Sequence, residues 1–274
     1  MSSPHWRKMT PLVKSFFSSI LTFLNHATNP AMIGFVLKQL DFGIRYLASL
    51  PKLRKPYLKL LLELWSSSEE SVRIVAFLVV RKLCIFCPHP FIDLVLKGIY
   101  LYFVKASKSM NAKNLPLLNF MANCVVELYG LDFNSSYQHA FIYIRQLAIH
   151  LRHAVTTKTK EAQATTYNWQ FIMCLRVWAS ILALYCEKTR ELETGQSPLH
   201  PLIYPLTQVI LGTLRVNPTP KYLPLKFHCI RMLNELTEKI GVFIPVLPHL
   251  IEVCSRILPF FLKKIHYFLS SSDL

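Results

Sequence analysis

The chain has 274 residues, 52% of them hydrophobic and 17% charged, with 31 Lys and Arg against 15 Asp and Glu, a formal charge of +16. So apolar a chain buries enough surface to offset its ordering entropy, which excludes a disordered tail, and 7 glycines exclude collagen-like or linker sequence. The 7 cysteines, odd in number and mostly far apart, read as reduced thiols of a cytosolic or nuclear protein rather than as a disulfide framework.

At the N-terminus, Arg7, Lys8 and Lys14 precede an apolar run from Phe16 to Leu24. That order resembles the basic and apolar regions of a signal peptide, yet no small-x-small cleavage site follows, so an amphipathic first helix is expected. Helical patterns follow at Ala31 to Leu50 and Pro56 to Trp65. Ser67 and Glu70 have the spacing of a capping box, and Val72, Val75, Ala76, Val79 and Leu83 then form an apolar stripe. Further patterns run over Phe91 to Lys105 and Leu115 to Tyr129. In the next one Tyr137, Phe141, Ile144, Ala148 and Leu151 recur at spacings of four, three, four and three, which puts them on one face that should enter a core. Thr156 to Thr166 and Glu187 to Ser197 read as polar loops around a helix at Ala164 to Tyr185. Leu199 to Val216, Lys221 to Ile240 and Phe243 to Ile257 complete the series, and no stretch carries a persuasive strand alternation.

Prolines at 51, 56, 88, 90, 116, 198, 201, 218, 220, 245 and 248 fall at or near expected helix starts, where a missing N–H costs little. Roughly ten helices with short joints make about five hairpins of about 40 to 50 residues, the size of HEAT or armadillo units. The expected fold is therefore all-α, a HEAT/armadillo-like helical-repeat solenoid of antiparallel helix pairs, with a compact bundle as the alternative. The expected organisation is a basic amphipathic region at 1–30, a helical-repeat domain at 31–254 and a divergent segment at 255–274. A membrane-spanning helix needs about 20 largely apolar residues, and the best runs, Leu58 to Leu62 and Ala76 to Val80, are broken by charge within a turn or so.

Charge is uneven. Residues 1–60 hold nine bases and one acid, Asp41, and so carry half of the net excess. Within them Lys52, Arg54, Lys55 and Lys59 lie beside Tyr46, Tyr57 and Trp65. Three readings stand together: phosphate contacts with stacking surfaces nearby, a nuclear-targeting run, or a solvated helix face with the aromatics in a core.

Other chemistry is weaker. Cys84 and Cys87 form a Cys-x-x-Cys, but at the end of the helix opened by Glu70, where the dipole opposes a thiolate. No second ligand pair of matching spacing stands near it, so buried thiols are expected rather than a redox or zinc site. His150 and His153, three apart, lack a carboxylate among them and read as polar-face histidines. Phosphate loops, nucleophile elbows and His-Glu-x-x-His are absent from the sequence, so no catalytic, cofactor-binding or metal-binding residue is assigned and no enzyme is expected.

Several strings together resemble the nucleolar complex protein 2 family: residues 69–78 (EESVRIVAFL), 137–152 (YQHAFIYIRQLAIHLR), 167–170 (YNWQ), 202–212 (LIYPLTQVILG), 228–231 (HCIR) and 241–248 (GVFIPVLP). They stand in the family's order from about Ala31 to Cys254, with Leu223 where an aromatic is usual and Lys226 where Arg is usual. The resemblance implies a non-catalytic scaffold of nucleolus and nucleoplasm, in large ribosomal subunit biogenesis. It also implies a heterodimer with another nucleolar complex protein and association with pre-ribosomal particles, and it leaves direct contact with ribosomal RNA open. No membrane and no small-molecule substrate are implied. Arg145, His150, Arg152 and Trp169 lie within the matching strings and are the candidate family-motif surface. The alternative is an importin-like or chromatin-associated adaptor for acidic proteins.

Overall fold

A computed structural model describes residues 4–87, 89–157, 159–216 and 222–255, and among them every regular element is helical. Pro88, Pro218 and Pro220, and the end of the pattern expected to run to Ile257, lie outside the described residues. The chain divides into two compact units, residues 1–131 and 132–274.

The first unit holds α1 (Pro4–His26), α2 (Pro30–Phe42), α3 (Ile44–Ala48), α4 (Pro51–Ser67), α5 (Glu70–Phe86), α6 (Phe91–Ala106) and α7 (Leu115–Tyr129). Asn29 caps α2 by accepting from the Ala31 N–H at 2.9 Å, with Pro30 supplying a φ already suited to the first turn. The expected single helix from Ala31 to Leu50 is broken at Gly43, where a Cβ would come within 3.2 Å of the Phe17 ring. The expected capping box is also overturned. Ser67 ends α4 and bonds back to the Glu63 carbonyl at 2.7 Å, while Glu69 precedes α5 without a side-chain cap. Nor does Pro56 open a helix: α4 begins at Pro51 and carries Pro56 inside.

Val72, Ala76, Val79 and Leu83 are buried as expected, and with them α5 packs on α4 and α2. Tyr57 and Trp65 of α4 lie in the same core, each buried side chain of this size adding about 2–3 kcal/mol by area. Tyrosine hydroxyls tie helix to helix: Tyr57 donates to the Phe17 carbonyl at 2.6 Å and Tyr129 to that of Leu96 at 3.3 Å. A buried phenol satisfied in this way keeps its ring's apolar gain without an orphaned O–H.

The second unit holds α8 (Phe133–Thr157), α9 (Lys160–Ala164), α10 (Trp169–Tyr185), α11 (Lys188–Thr194), α12 (Ile203–Val216) and α13 (Leu223–Ile240), followed by helical residues 247–255. The two expected polar loops thus contain the short helices α9 and α11; α11 buries none of its side chains. Helix α10 is apolar almost all round and is the centre of the unit, with Trp178 and Leu175 fully buried and α8, α12 and α13 packed on it. Asn168 caps α10 from the Phe171 N–H at 2.8 Å, and Gly241, at φ 77°, closes α13 in the left-handed region that glycine reaches without strain. Among the described residues no single helix is long and apolar enough to cross a membrane.

Helix α8 corrects its expected stripe. The residues it buries are Ser135, Ser136, Ala140, Tyr143, Ile144, Leu147, Leu151 and Ala154. Phe141, expected in the core, is 45% exposed, and Tyr137 and Ala148 are half-buried. The apolar arc of α8 is wider than the neighbouring helices cover.

Candidate interaction surfaces

In the first unit, Lys52, Lys55 and Lys59 are exposed and, at spacings of three and four, line one face of α4. Arg54 does not join them. It is half-buried and donates from Nη2 to the carbonyl of Ala48, at the end of α3. That guanidinium also stands near Cys87, whose thiol burial raises and Arg54 partly lowers again. Of the aromatics expected to offer stacking surfaces, Tyr57 and Trp65 are core, which leaves Tyr46, exposed and stacked on Trp6 with ring centroids 5.8 Å apart.

Three acids of the first unit are engaged by lysine or arginine. Asp41, the single acid of the first sixty residues, pairs with Lys82 of α5, and Glu63 lies 4.0 Å from Lys59, an exposed pair worth about 0.3–0.5 kcal/mol at most. Glu127 pairs with Arg81 at 2.5 Å. The face of Lys52 and Lys55 thus keeps its positive charge toward solvent.

In the second unit Arg145, His150 and Arg152 are all exposed on α8. Arg145 and Arg152, seven residues apart, share a face, whereas five residues of helix turn His150 away from Arg145 by about 140°. The three do not form one patch. Trp169, at the start of α10, is 39% exposed and meets the His228 ring of α13 edge to face, centroids 5.4 Å apart. Burial, then the guanidiniums of Arg176 and Arg231, hold His228 below the ordinary imidazole range. Those three were missed in the choice of site residues, although His228 and Arg231 lie i, i+3 within one of the matching strings and so face the same way on α13.

A groove runs between α8 and α12. At Gly212 a Cβ would come within 2.7 Å of Leu151 Cδ2, so the two helices approach closely there. A hollow of about 210 Å³ lies toward one end, lined by Phe141, Ile144, Arg145, Ala148, Pro205 and Val209. Another, of about 420 Å³, lies toward the other end among Val155, Gly212 and Arg215.

The thiols are sealed. Cys84, Cys87, Cys124, Cys174, Cys186 and Cys229 are buried and Cys254 is exposed, none of them in a disulfide. Burial pushes Cys84, Cys124 and Cys229 up to about 12 and Cys186 up to about 11. Among the described residues no group of three or more His, Cys, Asp or Glu side chains is arranged to hold a metal.

The sequence profile of the Noc2p family matches residues 90–264, ending beyond the resemblance limit at Cys254. The chain is 40% identical over 248 residues to nucleolar complex-associated protein 2 of Arabidopsis thaliana, covering 90% of this chain and 31% of that protein. It is 39% identical over 248 residues to nucleolar complex protein 2 of Drosophila melanogaster, with coverage of 90% and 31%. To a nucleolar complex protein 2 homolog of Caenorhabditis elegans it is 31% identical over 242 residues, with coverage of 88% and 33%. The chain spans about a third of the length of the curated relatives it matches. A profile that takes in α6 to α13, together with 40% identity across nine-tenths of the chain, places this protein in the Noc2p family.

Proposed function

We propose that the chain is a non-catalytic scaffold in ribosome biogenesis, on the path of the large subunit, acting in nucleolus and nucleoplasm. In this reading residues 31–254 form a HEAT/armadillo-like array of antiparallel helix pairs, flanked by the basic region at 1–30 and the segment at 255–274. The array binds another nucleolar complex protein and pre-ribosomal particles. The observation that carries the proposal is family membership, since the matched relatives are named as nucleolar complex proteins.

Charge supports it. A chain at +16, in which Asp41, Glu63, Glu127 and Glu187 are further drawn into pairs with its own lysines and arginines, suits a polyanionic particle. Lys52, Lys55 and Lys59 are the proposed RNA or targeting contacts of the first unit; Arg145, Arg152 and Trp169 are the proposed contacts of the second.

The test is sedimentation. The tagged chain, expressed in cells and run through a sucrose gradient of nuclear extract, should co-migrate with particles containing large-subunit precursor RNA, and that RNA should be enriched with it on the tag. A chain found at the top of the gradient, with no precursor RNA on it, would overturn the proposal.

A further inference from the structure

We infer that the groove between α8 and α12 receives an acidic amphipathic helix from a partner protein. The inference deepens the proposed scaffold role and rests on its pairing with another protein. It starts from the stripe that periodicity assigns to the core and the fold leaves at the surface: Phe141 and Val155 are 45% and 48% exposed, and Ala148 is half-buried between them. These three recur every seven residues, so they stay on one azimuth for four turns of α8, about 21 Å. Across from them α12 contributes Pro205, Val209 and Gly212. The result is a long apolar trough with a hollow at each end and a pinch at Leu151 and Gly212.

Its shape suits side chains projecting from a helix: two apolar anchors, one per hollow, separated by about ten residues or 15 Å along the axis. A nucleic acid would meet a poor surface here, because the walls are largely aliphatic and offer few flat faces for bases.

The rim decides the partner's charge. Neither α8 nor α12 contains a single Asp or Glu. Arg145 lines the first hollow, Arg215 the second, and Arg152 stands on the azimuth of Arg145 two turns away. Arg145 and Arg152 make no ion pair among the described residues. Of the acids on the surrounding elements, Glu191 is bonded to His200 at 3.0 Å, Glu161 is exposed on α9, and Glu252 acts on His249 together with Arg215, so the uncompensated positive charge of the rim rests on Arg145 and Arg152. A helix with carboxylates seven residues apart, flanking its apolar face, would meet both guanidiniums at once, and a basic helix would be repelled.

The test uses the full chain and a fluorescein-labelled synthetic peptide of about eighteen residues, five helical turns, with leucines along one face and glutamates seven apart beside them. Fluorescence anisotropy should show saturable binding that weakens as salt rises. Arg145→Glu with Arg152→Glu should weaken it about tenfold or more, as should Ala148→Trp, which fills the first hollow from within. A peptide carrying lysines in place of the glutamates should bind the double variant better than the wild type. Circular dichroism and melting of each variant confirm that the fold is kept.

No binding of the acidic peptide to the wild type, or equal affinity for wild type and double variant, overturns the inference. So does a uridine oligonucleotide that binds and whose binding depends on Arg145 and Arg152 while the peptide's does not. The scaffold role is judged separately by sedimentation. Co-migration with pre-ribosomal particles alongside failed peptide binding defeats the groove inference alone; peptide binding by a chain that stays off the particles defeats the scaffold reading alone.

Discussion

Cys84 and Cys87 occupy the last turn and the end of α5, each buried, one thiol pushed up to about 12 and the other raised. A thiolate would there face both a low dielectric and the negative end of a helix dipole, so this Cys-x-x-Cys is packing rather than redox chemistry. Its position was readable from the sequence, because the periodicity of α5 places the pair at a C-terminus whichever residue opens the helix. The consequence is measurable. Titration of the native protein with a disulfide reagent near pH 8 should release one fast equivalent, from the exposed Cys254, and 7 equivalents once the protein is denatured. A second fast thiol in the native protein would mean that one of the buried sites opens locally. Arg54 marks where residue-level reading stops. Four bases within eight residues read as one cluster, yet Arg54 is claimed by the end of α3, and the turn at Ser49 and Leu50 that brings that carbonyl within reach carries no distinctive sequence signal.

Among the elements, helix identity was legible nearly throughout and helix environment was not. The hydrophobic pattern reports where apolar residues lie on a helix, but on α8 they spread from Ala140 round to Ile149, and only packing chooses the part that is covered. The stripe read from periodicity is thus displaced by about one residue from the one that is buried, and its remainder lines the groove. The same limit hid the setting of Gly43, where the chain breaks between α2 and α3 against the Phe17 ring, remote in sequence. Close approach also separates two glycines that look alike in the sequence. A Cβ at Gly34 in α2 meets nothing within 4 Å, while one at Gly98 in α6 would come within 2.6 Å of Leu62 Cδ1, a buried side chain of α4. Gly34→Ala should therefore stabilise the protein by about 0.5–1 kcal/mol through helix propensity. In Gly98→Ala the same gain is outweighed by overpacking of about 1–3 kcal/mol, giving net destabilisation. Urea unfolding midpoints should move in opposite directions for the two variants, and movement in the same direction would show that the contact with Leu62 relaxes without cost.

For the whole molecule, the all-α class follows from a period of 3.6 sustained with short proline-marked joints, while the division at residue 131 left no compositional trace to read. Net charge is the property that acts at this scale. Half of the +16 lies in the first sixty residues, whose single acid is paired with Lys82, so the positive field of the first unit is concentrated on exposed lysines. If those lysines meet RNA phosphates, each contact releases condensed counterions and steepens the dependence of binding on salt. Replacing Lys52, Lys55 and Lys59 together by Gln should flatten the log-log slope by about 2.7 units on duplex RNA, if the B-DNA coefficient carries over, or about 2.1 on single strands. The melting temperature should barely move, because all three are exposed. Arg54→Gln should do the reverse: it removes a charge-assisted bond at the end of α3, costs about 1.5–3 kcal/mol of stability, and leaves the slope nearly unchanged. The pair of variants separates a surface that binds phosphate from a side chain that holds two helices together. An unchanged slope in the triple lysine variant removes RNA contact from this face, and normal RNA binding with failure to reach the nucleus assigns the run to targeting.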